Sequence, residues 1–223
     1  MPDWSIESDR ALMESLGVGG ALLSLPVSGT PDRVRAINAA IAEKAAHDPR
    51  RYGLLACVPF GEADEGIAEI EFACDVLHAD GFCLPSNHAG MYVGDDRMDP
   101  ILTELDRRGA VVLLHPQRPP GESLLGGPPW LCEFPFDTSR AVIDLVHRGK
   151  VERFPRIRWI VSHAGGVIPF LAYRISTVAA EMGVIPRSAD EVRTSLGRLY
   201  YDLALSTSPA VFAALRTLVD PSH

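Results

Sequence analysis

Two histidines are the residues of this sequence best suited to chemistry, because each ends an apolar run at an equivalent position. His115 lies in the run Leu-Leu-His-Pro at 113–116, and His163 lies in Ile-Val-Ser-His-Ala-Gly-Gly at 160–166. An imidazole can bind a metal ion or transfer a proton near neutral pH. A lone histidine at a strand end usually hydrogen-bonds within its own loop, whereas two at matching strand ends indicate a site. We therefore predict that His115 and His163 belong to one functional site.

Other candidate residues give weaker signals. The segment 116–136 is long for a strand-to-helix connection, and it carries two Pro-Pro pairs and Trp130. Such an apolar loop could form a lid or an aromatic-binding wall, or equally it could pack on a neighbouring subunit. Asp202 lies inside an apolar strand pattern beside Tyr200 and Tyr201, and it could face either the interior of a barrel or the helices.

Six short apolar runs predict the strands that would position these side chains. They begin at residues 20, 53, 81, 110, 157 and 199, so the intervals are 33, 28, 29, 47 and 42 residues. Near-continuous apolar runs are typical of a parallel sheet covered on both faces. A (β/α)8 barrel repeats about every 31 residues. The pattern therefore favours an α/β fold of the TIM-barrel type over an open sheet, and no glycine-rich phosphate loop follows the first run.

Helical patterns lie between the strand runs. A hydroxyl residue followed by proline, at 30–31 and at 208–209, predicts two helix starts. Residues 6–16 form a further helical pattern at the beginning of the chain. Asp137 or Thr138 is predicted to cap the helix whose apolar face follows it.

Six strands are two fewer than a closed eight-stranded barrel requires. The sequence opens on a helical pattern and closes on another, so we expect one strand before Met1 and one after His223. Residues 1–223 are accordingly predicted to form a single, incomplete barrel domain with about six βα units.

The composition argues against several classes of protein. Hydrophobic residues make up 47% of the chain, and the net charge is −8 with no basic block, so we expect no nucleic-acid partner. No apolar stretch is long enough to span a membrane, and no secretory signal pattern is present. The four cysteines lack paired spacing, so we expect reduced thiols in a cytoplasmic protein. They are Cys57, Cys74, Cys83 and Cys132.

Two stretches of the chain resemble motifs of a known family. They are Ser-His-Ala-Gly-Gly-Val-Ile-Pro-Phe-Leu-Ala-Tyr-Arg at 162–174, and Gly-Asp-Asp-Arg-Met-Asp-Pro at 94–100 running on to Val-Val-Leu-Leu-His-Pro at 111–116. Both resemble the amidohydrolase-related family that includes aminocarboxymuconate-semialdehyde decarboxylase and γ-resorcylate decarboxylase. The resemblance covers almost the whole chain. It implies a (β/α)8 barrel with one divalent metal ion, with zinc as the first expectation and manganese or iron as alternatives.

The resemblance also implies roles for individual residues. His115 matches a metal ligand at the end of the fifth barrel strand, and His163 matches the catalytic acid/base beside the metal. Arg174 matches an arginine that reaches across a dimer interface to a substrate carboxylate. The planar guanidinium group of arginine suits this role, because it can bind a carboxylate through two hydrogen bonds. The family's His-x-His or Glu-x-His pair and its Gly-Ser/Thr-Asp ligand have no match between Met1 and His223.

These expectations define one leading function and two alternatives. The leading function is a metal-dependent decarboxylase, a homodimer that acts on a small cyclic or aromatic carboxylate, with His163 transferring a proton. Arg174 and Trp130 are the predicted substrate-binding residues, and His115 is the predicted metal ligand. The alternatives are a metal-dependent hydrolase of the same superfamily, and a truncated, non-catalytic barrel that binds a ligand or a partner.

Overall fold

Six parallel strands form the central sheet of the protein. A computed structural model describes residues 4–27, 29–119, 121 and 126–221. The sheet curls like part of a TIM barrel, with the spatial strand order β1-β2-β3-β6-β7-β8. The six strands are β1 (Ala21–Leu23), β2 (Tyr52–Cys57), β3 (Gly81–Pro85), β6 (Val111–His115), β7 (Arg158–Val161) and β8 (Tyr200–Tyr201).

Each strand begins within one residue of its predicted position, so the prediction of six parallel βα units is confirmed. Parallel neighbours require crossover connections, and helices supply most of these. The helices are α1 (Ile6–Leu16), α2 (Pro31–Ala45), α3 (Ala63–Asp75), α4 (Asp99–Arg108), α5 (Glu133–His147), α6 (Lys150–Arg153), α7 (Ile168–Tyr173), α8 (Ala179–Glu181), α9 (Ala189–Gly197) and α10 (Pro209–Leu215).

The two faces of the sheet have different neighbours. Val112, Leu114 and Trp159 are fully or almost fully buried in the main core, where they cluster with residues of the surrounding helices. Because successive strand residues point to opposite faces, Leu113 and His115 lie on the other face of β6. That face is the interior of the curled sheet, and the parallel strands aim their carboxyl ends at one rim of it.

Local sequence signals explain most helix starts. The predicted starts at 30–31, 208–209 and residue 6 are confirmed, and the Ser208 hydroxyl accepts a hydrogen bond from the backbone N–H of Val211. The predicted cap at Asp137 or Thr138 is wrong, because α5 already begins at Glu133. Both residues are completely buried inside α5, where the Asp137 carboxylate bonds to other segments rather than to the helix end.

Short elements surround the rim to which the strands point. β4 (Asn87–His88) and β5 (Met91–Tyr92) form a small antiparallel hairpin just beyond β3. A 3-10 turn over Pro129–Leu131 leads into α5, while residues 120 and 122–125 of the same connection lie outside the described residues. Across the described parts of the chain, no helix combines the length and the apolar character that crossing a membrane requires.

Candidate active site

His115 is the last residue of β6, and its ring orientation is fixed by its own chain. Its Nδ1 lies 2.9 Å from the carbonyl oxygen of Pro116. A carbonyl oxygen can only accept, so Nδ1 carries the hydrogen, and Nε2 presents its lone pair in the neutral ring. An imidazole fixed in this tautomer is suited to bind a metal ion or to accept a proton through Nε2.

His163 follows β7 directly and has a different environment. It begins a 3-10 turn over His163–Gly165, and its φ of 57° lies in the left-handed region. Its Nδ1 is buried and has no hydrogen-bond partner among the described residues. The His115 and His163 rings lie with centroids 6.0 Å apart and planes at 63°. The structure therefore brings the two sequence-predicted histidines to one site on adjacent strand ends.

Burial shifts both imidazoles toward their neutral form. Desolvation lowers the pKa of His115 below its usual value and His163 lowers it further, whereas the Pro116 carbonyl and the Asp202 charge oppose this shift. Desolvation also lowers the pKa of His163, again opposed by Asp202. A histidine with a lowered pKa is a stronger acid once it is protonated, which suits a proton donor.

Asp202 comes immediately after β8 and lies on the interior side of the sheet. It lines a cavity of about 350 Å³ together with Val111, Ile160 and Tyr200. Its electrostatic effect on both histidines is consistent with this placement. Of the two orientations that the sequence left open for Asp202, the structure shows the one toward the interior.

A buried carboxylate that sequence reasoning missed as a site residue lies behind His115. Asp137 is completely buried, and its carboxylate accepts hydrogen bonds from the Ser86 hydroxyl, from Asn87 Nδ2 at 2.9 Å and from the Tyr92 hydroxyl at 2.8 Å. The Ser86 hydroxyl oxygen in turn accepts the backbone N–H of Gln117 at 2.8 Å. Asp137 thus ties the β4–β5 hairpin to the segment that follows His115.

The helical spacing of Asp137 indicates, from the sequence alone, that it lies on a buried face. It precedes Ala141 by four residues and Leu145 by eight, and both of those residues are buried in the core. Residues at such spacing share one helix face. A carboxylate on an apolar face requires partners, because an unpaired buried charge is very costly.

The remaining predicted site residues, Trp130 and Arg174, are exposed, unlike the two histidines. Trp130 is 55% exposed on the 3-10 turn before α5, and Arg174 is exposed at the start of a π-helical turn over Arg174–Val178. The aromatic ring that contacts His115 is Phe134, at a centroid distance of 6.3 Å and an interplanar angle of 69°. The 116–136 segment therefore places one aromatic ring, that of Phe134, beside His115.

The described residues do not make a complete metal site. A catalytic zinc ion takes about three protein ligands. Across the described parts of the chain, no group of three or more His, Cys, Asp or Glu side chains is arranged to hold one ion. His115 Nε2 is one donor of the right kind, but the described residues do not complete a set of three around it.

Comparisons with known proteins identify the family. The amidohydrolase family model matches residues 6–222. The chain is 32% identical over 241 residues to a 6-methylsalicylic acid decarboxylase of Penicillium expansum, covering 100% of this chain and 74% of that protein. It is 27% identical over 197 residues to a γ-resorcylate decarboxylase of Rhizobium radiobacter, covering 79% of this chain and 60% of that one. These homologues are decarboxylases, that is, lyases of the amidohydrolase superfamily.

Solved structures share the same fold. A crystal structure of amidohydrolase II superimposes with a TM-score of 0.88 at 26% identity, covering all of this chain and 75% of that one. A dihydroxybenzoic acid decarboxylase from Polaromonas sp. JS666, solved with bound manganese and 2-nitroresorcinol, gives a TM-score of 0.74 at 20% identity over 89% of this chain and 67% of that one. The resemblance found in the sequence is confirmed, and the chain belongs to the amidohydrolase family.

Proposed function

We propose that the protein is a decarboxylase that acts on a small aromatic carboxylic acid of the hydroxybenzoate class. The observation that carries the proposal is the pair of imidazoles 6.0 Å apart on adjacent strand ends. Both histidines lie in the two stretches that resemble motifs of the family. This resemblance, together with the 32% identity to a 6-methylsalicylic acid decarboxylase, supports the choice of reaction and of substrate class.

Decarboxylation needs a proton donor at the carbon that loses the carboxylate. The bond between the ring carbon and the carboxylate carbon breaks, its electron pair stays on the ring carbon, and carbon dioxide leaves. A proton must then reach that carbon. The overall reaction therefore converts an aromatic carboxylate and a proton into an arene and carbon dioxide. We assign this transfer to His163, because burial lowers its pKa and its ring lies beside His115 at the strand ends.

A divalent metal ion is part of the proposal, and His115 is its proposed ligand. The dihydroxybenzoic acid decarboxylase with the same fold binds manganese, and the resemblance of the motifs favours zinc. The lone pair on His115 Nε2 suits either ion. Since the described residues do not bring three such ligands together, the proton-transfer assignment to His163 stands on the side chains alone.

Substrate binding and assembly complete the proposal. Phe134 beside His115 offers an edge or face to an aromatic ring, while Trp130 and Arg174 are exposed and would contact substrate from the surface or across a homodimer. All four cysteines are free thiols, which supports a cytoplasmic location. The expected partner is a small carboxylate and not a nucleic acid.

The test is the turnover of a panel of hydroxybenzoates in the presence of added Mn²⁺ or Zn²⁺. Turnover is measured as the release of carbon dioxide. His163→Ala should lower kcat by about 10²–10⁴-fold, as expected for loss of a positioned acid. In a version of the protein that also carries the family's His-x-His pair and Asp ligand, His115→Ala should lower bound metal and activity together, whereas His163→Ala should keep most of the metal. His47→Ala is the matched control, because His47 is exposed at the end of α2.

Two outcomes would contradict the proposal. Hydrolysis of an ester or amide panel without release of carbon dioxide would favour the hydrolase alternative. Equal turnover in the three histidine variants would mean that the two strand-end imidazoles have no catalytic role.

A further inference from the structure

The backbone at His163 adopts a conformation that needs support. His163 and Ala164 both have φ of 57°, and Gly165 and Gly166 continue with φ of 72° and 65°. Glycine adopts positive φ freely, but a residue with a Cβ atom is destabilised in the left-handed region, where that atom lies too close to the backbone carbonyl oxygen. Two such residues in succession persist only if the surrounding structure holds them there.

Asp202 supplies bonds to both of these residues. Its Oδ1 accepts the backbone N–H of His163 at 2.9 Å, and its own carbonyl oxygen accepts the N–H of Ala164 at 2.8 Å. The N–H of Asp202 donates to the carbonyl oxygen of Val161 at 3.1 Å, which joins it to the end of β7. The same Oδ1 also accepts the N–H of Ala204 at 2.9 Å, so the carboxylate is itself fixed.

Among the described residues, no hydrogen bond to Nδ1 performs this task for the His163 ring. Its Nδ1 has no partner in the described part of the chain, so the direction of the imidazole depends on its Cα–Cβ vector and hence on the backbone. If His163 relaxed to negative φ, the vector would turn and the ring would leave its position beside His115. A carboxylate acceptor for the His163 N–H therefore acts on ring position through the backbone.

We propose that Asp202 is a positioning residue for His163, whose carboxylate holds the left-handed backbone and thereby aims the imidazole at the site. The inference rests on the proposed function for its catalytic consequence, but not for its structural one. The negative charge of Asp202 also favours the protonated form of His163. That effect is separate from the hydrogen bond, and the variants below distinguish the two.

Two variants separate hydrogen bonding from charge. Asp202→Asn keeps an oxygen acceptor for the His163 N–H and removes the charge, whereas Asp202→Ala removes both. We expect Asp202→Ala to lower kcat by about 10- to 100-fold with little change in KM, since small misplacement of a reacting group has effects of this order. Asp202→Asn should recover most of the loss. If Asp202→Asn is as slow as Asp202→Ala, the charge matters rather than the bond, and the positioning role is wrong.

Asp80 provides the matched control at the other end of the sheet. Its carboxylate likewise accepts a backbone N–H, that of Leu54 at 2.9 Å. Asp80→Ala should lose local stability but keep wild-type kcat. An equal loss of kcat in Asp80→Ala and Asp202→Ala would show only a general structural effect and would overturn the inference.

Amide hydrogen exchange gives a readout that does not depend on activity. In Asp202→Ala the amide of His163 should exchange faster by about tenfold or more, because it loses its carboxylate acceptor and a lost bond of about 1.4 kcal/mol corresponds to that factor. Amides of Val112 and Leu114 in β6 serve as the internal reference. If the wild-type protein releases no carbon dioxide from any hydroxybenzoate, the proposed function fails while this experiment still decides the inference. Unchanged exchange at His163 would refute it.

Discussion

The two strand-end histidines are supported in opposite ways. The His115 ring donates from Nδ1 to Pro116, and the backbone around it is tied to the completely buried carboxylate of Asp137 through Ser86. The backbone carbonyl of His115 also accepts the N–H of Ser86 at 2.8 Å. The His163 ring has no partner at Nδ1 within the described residues, and only its backbone is held, by Asp202.

This difference matches the two proposed roles. A metal ligand benefits from a fixed tautomer and a fixed ring, because the lone pair must face one point. A proton donor must gain and lose a hydrogen, so a ring without a permanent bond at Nδ1 is better suited to that task. The comparison therefore supports assigning binding to His115 and proton transfer to His163. Each of the following predictions perturbs one region and leaves the other as its reference.

The largest effect is expected at the buried carboxylate behind His115. Asp137→Ala leaves the buried donors of Ser86 and Asn87, and the half-buried hydroxyl of Tyr92, without their acceptor. Each unsatisfied buried group costs about 1–3 kcal/mol, so the free energy of unfolding should fall by about 3–5 kcal/mol. Urea unfolding of the purified protein measures the change. Asp137→Asn keeps one acceptor oxygen, so its free energy of unfolding should fall by less. This variant replaces Asp137→Ala in the measurement if Asp137→Ala does not fold.

An exposed carboxylate is the control for that prediction. Asp190 is 88% exposed in its side chain and pairs with Arg193 on the surface of α9. Asp190→Ala should change the free energy of unfolding by less than about 1 kcal/mol. If Asp137→Ala were no more costly than Asp190→Ala, the Asp137 network would not stabilise the His115 region.

The second prediction concerns the region around His163, at the strained turn after β7. A Cβ added at Gly166, where φ is 65°, would meet the carbonyl oxygen of Pro135 at 2.0 Å and the Ser139 hydroxyl at 2.7 Å. Gly183 has a similar φ of 63° but open space around the added atom. Gly183→Ala should therefore cost about 1 kcal/mol, from backbone conformation alone.

Gly166→Ala should cost about 2–4 kcal/mol, because overpacking adds about 1–3 kcal/mol to the conformational term. Thermal or urea unfolding of the two variants gives the difference directly. Equal costs at the two glycines would mean that the turn shifts freely, and that the His163 backbone is less constrained than its contacts indicate.

The fold was more predictable than the details of the site, for a physical reason. Strand positions follow from continuous apolar runs, and the starts of α2 and α10 follow from proline after a hydroxyl residue; both signals are local. The pairing of His115 with His163 followed from parallel strands ending at one rim. The role of Asp137 did not follow, because its partners lie about fifty residues earlier and only the folded chain brings them together. The same holds for the bond between Asp202 and His163, which are 39 residues apart.

The smallest predicted effect concerns alkaline pH and the hairpin behind His115. Burial, together with the hydrogen bond to Asp137 and its charge, raises the pKa of Tyr92 to about 12. In the unfolded chain a tyrosine ionises near pH 10. Because the folded pKa is the higher one, the stabilisation from Tyr92 is fully present below pH 10 and declines as the pH rises toward 12. The difference in the free energy of unfolding between the wild-type protein and Tyr92→Phe should therefore shrink between pH 9 and pH 11.5 in urea unfolding.

Tyr173→Phe is the control, because Tyr173 is 68% exposed and belongs to the helix that follows His163. A Tyr92→Phe difference that stays constant over this range would show that the Tyr92 hydroxyl is not coupled to Asp137, and it would remove one of the contacts that distinguish the His115 region from the His163 region.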